Sequence, residues 1–130
     1  MAANVLVDSS FFIDRLRAGT DPFEEFAARA DADDFLTCGL VITEVLRGVK
    51  IKKAHQRLES LFSCMIYVPT LNRVWERVAK LAWELDRAGK GMQITDLIVA
   101  ACALEVDAVV LTLDSDFERV PGLRVISRLG

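Results

Sequence analysis

The chain has 130 residues, 52% hydrophobic and 27% charged, enough for one compact domain spanning residues 1–130 and too few for two. That apolar content excludes a disordered chain, and sixteen Lys+Arg against nineteen Asp+Glu, a net charge of −3, exclude nucleic-acid wrapping by overall positive charge. No N-terminal basic run precedes a long apolar stretch, and no apolar run approaches the roughly 20 residues that span a bilayer, so a soluble cytoplasmic protein without membrane contact is expected.

Asn4-Val5-Leu6-Val7-Asp8 is a short apolar run ending in an acid and reads as a buried strand. Ser9 or Ser10 is placed to cap a helix through Phe11, Phe12, Ile13 and Leu16, which Gly19 ends. Asp21-Pro22 opens a second helix, with Phe23, Phe26, Ala27 and Ala30 at helical spacing. Asp31, Asp33 and Asp34 mark a loop before a strand over 35–38. Helices follow around 42–49 and over 52–62, where Leu58, Leu61 and Phe62 form one face. Met65 to Val68 reads as a third strand, closed by Pro69. The longest helical pattern runs from Leu71 to Ala88, with Val74, Trp75, Val78, Leu81, Ala82 and Leu85 at three- and four-residue steps and Gly89 as its stop. Thr95 is placed to cap a helix over 96–105, and strands are expected at 109–112 and 124–126. Strands alternating with helices define a three-layer α/β/α sandwich around a mainly parallel sheet.

In such sheets, sites form beyond the carboxyl ends of the strands. Asp8 ends the first strand and Asp114 follows the fourth, while Glu44 and Asp96 sit early in helices. Singly, each acid has an ordinary explanation. Asp96 suits a helix dipole, Glu44 an exposed helix face, and Asp114 and Asp116 a turn. Asp8 is harder to dismiss, because a carboxylate at the end of a doubly covered strand needs a partner.

Together these acids would repel one another unless one stays protonated or a cation neutralises them. Mg²⁺ or Mn²⁺ is the natural cation, being hard and oxygen-seeking. Zinc is disfavoured: His55 is the single histidine, and Cys38, Cys64 and Cys102 are far apart in sequence. The three cysteines, odd in number and without a CxxC pair, fit free thiols in a reducing compartment. A carboxylate-held metal with open water positions suits phosphodiester hydrolysis.

Four blocks carry a resemblance: Val5-Leu6-Val7-Asp8-Ser9-Ser10; Ile42-Thr43-Glu44-Val45-Leu46-Arg47-Gly48; the run from Thr95-Asp96 to Leu104; and Leu111-Thr112-Leu113-Asp114-Ser115-Asp116-Phe117. In order and over essentially the whole chain, they resemble the PIN domain, and within it the VapC toxins of bacterial toxin–antitoxin pairs. The resemblance implies a metal-dependent endoribonuclease with Asp8, Glu44, Asp96 and Asp114 as catalytic acids. Asp8, Asp96 and Asp114 would hold Mg²⁺ or Mn²⁺ directly or through water, and Glu44 would orient a water. Asp116 matches an often-acidic fifth position, and Ser9 and Thr112 are accessory hydroxyls for orienting carboxylates. It also implies an RNA substrate, a homodimer and a VapB-like antitoxin whose C-terminal segment blocks the site.

Arg47, Lys50, Lys52, Lys53 and Arg57 concentrate positive charge directly after Glu44. The run has two readings, an RNA-facing patch or a solvated helix face, and Arg47 is spaced to pair with Glu44. Trp75, Trp83, Phe11 and Phe12 are read as core or dimer contacts, and His55 as a surface residue. A phosphoacceptor receiver domain would want an acid pair after the first strand and a late lysine, yet serines follow Asp8 and no lysine follows Lys90. A phosphatase using Asp-x-Asp is met by Ser10, and no GxGxxG or Gly-Lys-Ser/Thr loop is present. The competing function is a non-catalytic PIN-like binding module whose acidic pocket grips a basic partner segment.

Overall fold

The computed structural model describes residues 3–130. Its elements run β1 (Ala3–Val7), α1 (Ser9–Arg17), α2 (Pro22–Ala27), β2 (Asp33–Thr37), α3 (Gly39–Arg47) and α4 (Lys52–Ser63). They continue as β3 (Ile66–Tyr67), α5 (Asn72–Arg87), α6 (Ile94–Glu105), β4 (Val109–Leu111), a 3-10 helix (Ser115–Arg119) and β5 (Val125–Ile126). The five strands form one sheet in the order β3-β2-β1-β4-β5, and every pairing is parallel. β1 is the central strand, with Val5, Leu6 and Val7 buried on both faces, as parallel sheets require.

The chain steps outward from β1 to β2 to β3, then crosses back to β4 on the other side of β1. With right-handed crossovers this reversal puts α1–α4 on one face and α5–α6 on the other. It also makes the gap between β1 and β4 the topological switch point, where an open sheet leaves a crevice at its carboxyl edge.

Composition explains the layers. α6 is apolar all round, and every residue from Leu97 to Ala103 is buried. A helix of that kind belongs in the interior, and Ala100, Ala101 and Ala103 let its neighbours approach closely. α5 is amphipathic and covers α6, burying Val74, Val78, Leu81 and Leu85. On the other side, Phe26 gathers Phe11, Phe12 and Phe35 at ring-centroid distances of 5.8, 5.7 and 4.6 Å, and Phe12 meets Phe62 at 5.1 Å. Phe11 and Phe12 are therefore core residues. Trp75 and Trp83, 47% and 61% exposed, are not.

Local signals hold in part. Asp21 caps α2 by accepting the Phe23 N–H at 3.0 Å, with Pro22 as the first helical residue. Gly19 and Gly89 follow α1 and α5 at φ 74° and 73°, the left-handed turn that glycine takes without strain. The expected serine and Thr95 caps do not form. Asp8 occupies the N-cap position of α1 and Gln93 that of α6, so both helices begin earlier. The serine hydroxyls are engaged with carboxylates, and Thr95 lies inside the first turn. Asp33 and Asp34, expected in a loop, extend β2 by pairing with Ala3 and Asn4 of β1, with Arg29 3.2 Å from the Asp33 carboxylate. Cys38 leaves the strand for the N-cap position of α3, which starts at Gly39, three residues before the expected start at 42. β3 is a two-residue exposed edge, Ile66–Tyr67, shorter than the expected strand over 65–68.

Candidate active site

Asp8 lies just beyond β1, only 4% exposed, and its N–H donates to Leu111 O at 2.9 Å across the β1–β4 switch point. A carboxylate so buried requires donors. Ser10 Oγ and Thr112 Oγ1 both donate to Asp8 Oδ2, each at 2.8 Å. Each hydroxyl also accepts a backbone N–H from the loop after β4: Leu113 to Ser10 Oγ and Asp114 to Thr112 Oγ1, both at 3.0 Å. A hydroxyl has one proton, so with both given to Oδ2 the 3.1 Å approach of the two hydroxyl oxygens is a close contact without a further bond. Among the described residues nothing donates to Asp8 Oδ1, which stays available to a ligand.

The other acids converge on this edge. Glu44, in α3 after β2, accepts from Ser9 Oγ at 3.2 Å, so the two serines of α1 serve two different carboxylates. Asp114 caps the 3-10 helix, with Oδ1 accepting the Asp116 N–H at 2.9 Å, and this tight turn brings Asp116 back beside Asp114. Asp96 comes from the opposite layer, in the first turn of α6. Asp96, Asp114 and Asp116 each place an oxygen within 4.8 Å of the others.

The electrostatics follow from this crowding. The Asp96 carboxyl is raised from 3.8 to about 6, first by burial and then by the charges of Asp8, Asp114, Glu44 and Asp116. A helix N-terminus favours a carboxylate, yet here desolvation and repulsion outweigh the dipole. Among the described residues a single cation pairs with any of the five acids: Arg119, whose Nη2 lies 3.1 Å from Asp116 Oδ1.

Folding thus gathers Asp8, Glu44, Asp96 and Asp114 on one edge across sequence gaps of tens of residues. The tightest grouping differs from the expected trio: Asp116 joins Asp96 and Asp114, and Asp8 stands beside them, drawn toward Ser10 and Thr112. Ser9 and Thr112 both bond to site carboxylates. Ser10 was expected only as a helix cap, although its place two residues after Asp8 in a helical first turn also suits a bond to that carboxylate. Arg119, three residues after Asp116, was given no role.

The basic run divides. Arg47, Lys50, Lys52 and Lys53 are exposed and make no ion pair among the described residues, so Arg47 does not pair with Glu44. Arg57 is engaged elsewhere: its Nε donates to Asp21 Oδ2 at 2.9 Å, and its guanidinium lies over the Phe23 ring at 4.9 Å. His55 Nδ1 lies 3.0 Å from Glu59 Oε1 on the surface of α4.

A group of carboxylates at the switch point of a parallel sheet fits a hard divalent cation, and among the described residues the tight grouping of Asp96, Asp114 and Asp116 offers oxygen ligands alone. The family model for the PIN domain matches residues 5–123, and the chain belongs to the PIN domain family. Among solved structures it is similar to a chain of Rickettsia felis VapBC2 bound to a promoter DNA fragment, at TM-score 0.80 and 19% identity, covering 95% of this chain and 97% of that one. A DNA-bound VapBC from Salmonella typhimurium matches at TM-score 0.78 and 20% identity, covering 97% and 98%. VapBC-5 from Mycobacterium tuberculosis, described as a member of the VapBC family of toxin–antitoxin systems, matches at TM-score 0.66 and 25% identity, covering 95% and 98%. No curated protein matches. No helix among the described residues is long and apolar enough to cross a membrane.

Proposed function

We propose that the protein is a metal-dependent endoribonuclease, the VapC-type toxin of a toxin–antitoxin pair, cleaving RNA phosphodiester bonds with water as nucleophile. The observation that carries this reading is the convergence of five acids on one sheet edge, close enough to raise Asp96 to about 6 and matched by one arginine. Membership of the PIN domain family and the likeness to VapBC chains support it.

Asp8, Asp96 and Asp114 are the residues proposed to hold Mg²⁺ or Mn²⁺, with Asp116 completing the tight grouping. Such an ion, when bound, lowers the pKa of a coordinated water and stabilises charge on the phosphate and leaving oxygens. Ser10 and Thr112 fix Asp8 by its Oδ2 and leave its Oδ1 without a donor among the described residues. Glu44, steadied by Ser9, is the group to orient the attacking water. Arg47, Lys50, Lys52 and Lys53 are free to steer the polyanion, as Arg57 is not. A VapB-like antitoxin is the proposed partner. Its C-terminal segment would block the acidic site, and the cleft of about 250 Å³ that Phe23, Phe26, Phe35 and Leu61 line together with Asp33 and Asp34 is a candidate seat for another part of it. A homodimer acting in the cytoplasm completes the reading, and the three free cysteines accord with that compartment.

The test is incubation of antitoxin-free protein with total RNA from its host, in Mg²⁺, Mn²⁺ or chelator. Metal-dependent fragments that disappear in Asp8→Asn and Asp96→Asn are expected. Cleavage that persists in chelator or in both variants would overturn the mechanism. Absence of cleavage under every condition would favour the binding module that grips a basic segment.

A further inference from the structure

Five carboxylates meet at the carboxyl edge, yet among the described residues only Arg119 comes within ion-pairing distance of any of them. Its guanidinium makes two contacts at once: Nη2 to Asp116 Oδ1 at 3.1 Å, and Nη1 donating to the Gly91 carbonyl at 2.9 Å in the turn between α5 and α6. The turn starts with two backbone bonds at the end of α5, Gly89 N–H to Asp86 O at 3.2 Å and Lys90 N–H to Leu85 O at 2.8 Å. α6 begins three residues beyond Gly91 and carries Asp96 in its first turn. Arg119 therefore bridges the two backbone segments that present Asp116 and Asp96.

The chemistry of the pair also matters. Arg119 and Asp116 are 43% and 41% exposed, and an isolated ion pair that open contributes little to stability. Beside Asp114 and Asp96 the same positive charge acts on several like charges, so its main effect is on the potential of the pocket. The flat guanidinium fork can serve a carboxylate and a carbonyl together, which a lysine ammonium on a flexible stem does poorly.

We infer that Arg119 is the resident counter-ion of the acidic cluster: a positioning residue that holds Asp116 and the α5–α6 turn in place, and that opposes divalent-cation binding at the same carboxylates. This rests on the metal-binding reading above and deepens it. Cation binding would then be an exchange of one positive charge for another, with Arg119 setting the threshold.

The experiment is Mn²⁺ titration of the full chain, followed by the paramagnetic resonance signal of free Mn²⁺, together with amide hydrogen exchange. Arg119→Gln is expected to tighten Mn²⁺ binding by about 3- to 10-fold, the size expected on removing a unit charge near a divalent ion in a water-like dielectric with physiological salt. Arg119→Lys, which keeps the charge, is expected to bind Mn²⁺ within about twofold of the parent while exchange at Lys90–Met92 accelerates several-fold. A merely structural arginine would weaken cation binding when lost, so unchanged or weaker affinity in Arg119→Gln overturns the inference alone. Unchanged exchange in Arg119→Lys overturns its clamp on the turn. A parent protein that binds no Mn²⁺ at millimolar concentration overturns the inference and the metal-dependent function together.

Discussion

Replacing Asp96 with Asn removes a carboxylate that the fold holds against its preference to ionise. Its carboxyl lies at about 6 in the folded chain against an ordinary 3.8, so the folded state keeps a proton that the unfolded state has released between those values. Stability of the metal-free protein therefore falls as pH rises from about 4 to about 6, and the full penalty persists above that window. At about 1.4 kcal/mol per tenfold change in proton affinity, the interval corresponds to about 3 kcal/mol. Asp96 is partly open to solvent, and screening reduces this to about 1–2 kcal/mol. Asp96→Asn should therefore raise Tm at pH 7 in chelator by about 3–8 °C, scaling between small and mid-sized domains. At pH 4, near the foot of that window, the folded carboxyl is protonated and the unfolded one about half ionised, so most of the gain should vanish. Calorimetry of both proteins at the two pH values provides the double difference. The reasoning fails if the Asn variant melts lower at pH 7, or if its gain is equally large at pH 4. Mg²⁺ should stabilise the parent and leave the variant nearly unmoved, the opposite ranking from that in chelator.

Three further outcomes are expected. Ser10→Ala removes a donor to Asp8 Oδ2 and the acceptor of the Leu113 N–H. It should cost about 1–2 kcal/mol in urea unfolding and lower RNA cleavage about 10- to 100-fold, as loss of a residue orienting a metal ligand does. Arg57→Ala should leave cleavage unchanged and cost less than about 1 kcal/mol, its guanidinium being tied to Asp21, whereas joint replacement of Lys50, Lys52 and Lys53 by Ala should raise KM and flatten its salt dependence. Thr37 Oγ1 is buried at the end of β2 without a hydrogen-bond partner, so Thr37→Val should stabilise the fold by about 1 kcal/mol, read as a higher urea midpoint at unchanged slope.

Much of the fold was legible because the signals were redundant. Val5-Leu6-Val7 between polar flanks, Asp21-Pro22, and the 74-78-81-85 stripe of α5 are each pattern and chemistry agreeing. Boundaries were misread where a side chain had a better use than the local rule assigned. Ser9 and Ser10 read as caps, but two distant carboxylates compete for their hydroxyls. Asp33 and Asp34 read as loop, yet pairing with β1 overrides the poor strand preference of aspartate. Trp75 was counted with the helical stripe, but it lies about 100° round α5 from Val74, and Trp83 lies farther still from Leu81, so both fall outside the buried 74-78-81-85 face. Of the candidate site, strand ends and helix starts pointed to the acids themselves. The sharing of Asp8 Oδ2 by Ser10 and Thr112, and the reach of Arg119 to Gly91, depend on residues 102 and 28 positions apart and are invisible to any local pattern.

The hydroxyls of Ser10 and Thr112 have a mechanical effect beyond holding one carboxylate. The crevice of a doubly wound sheet opens where two neighbouring strands send their connections opposite ways, and here those strands are sewn together across the mouth. The stitches run from the Asp8 N–H to Leu111, from both hydroxyls to Asp8, and from Leu113 and Asp114 back to those hydroxyls. Prising the seam apart would expose several buried polar groups at once, so this wall of the cleft has no inexpensive way to breathe. Whatever enters the crevice meets a stiff wall on that side and has itself to conform to it.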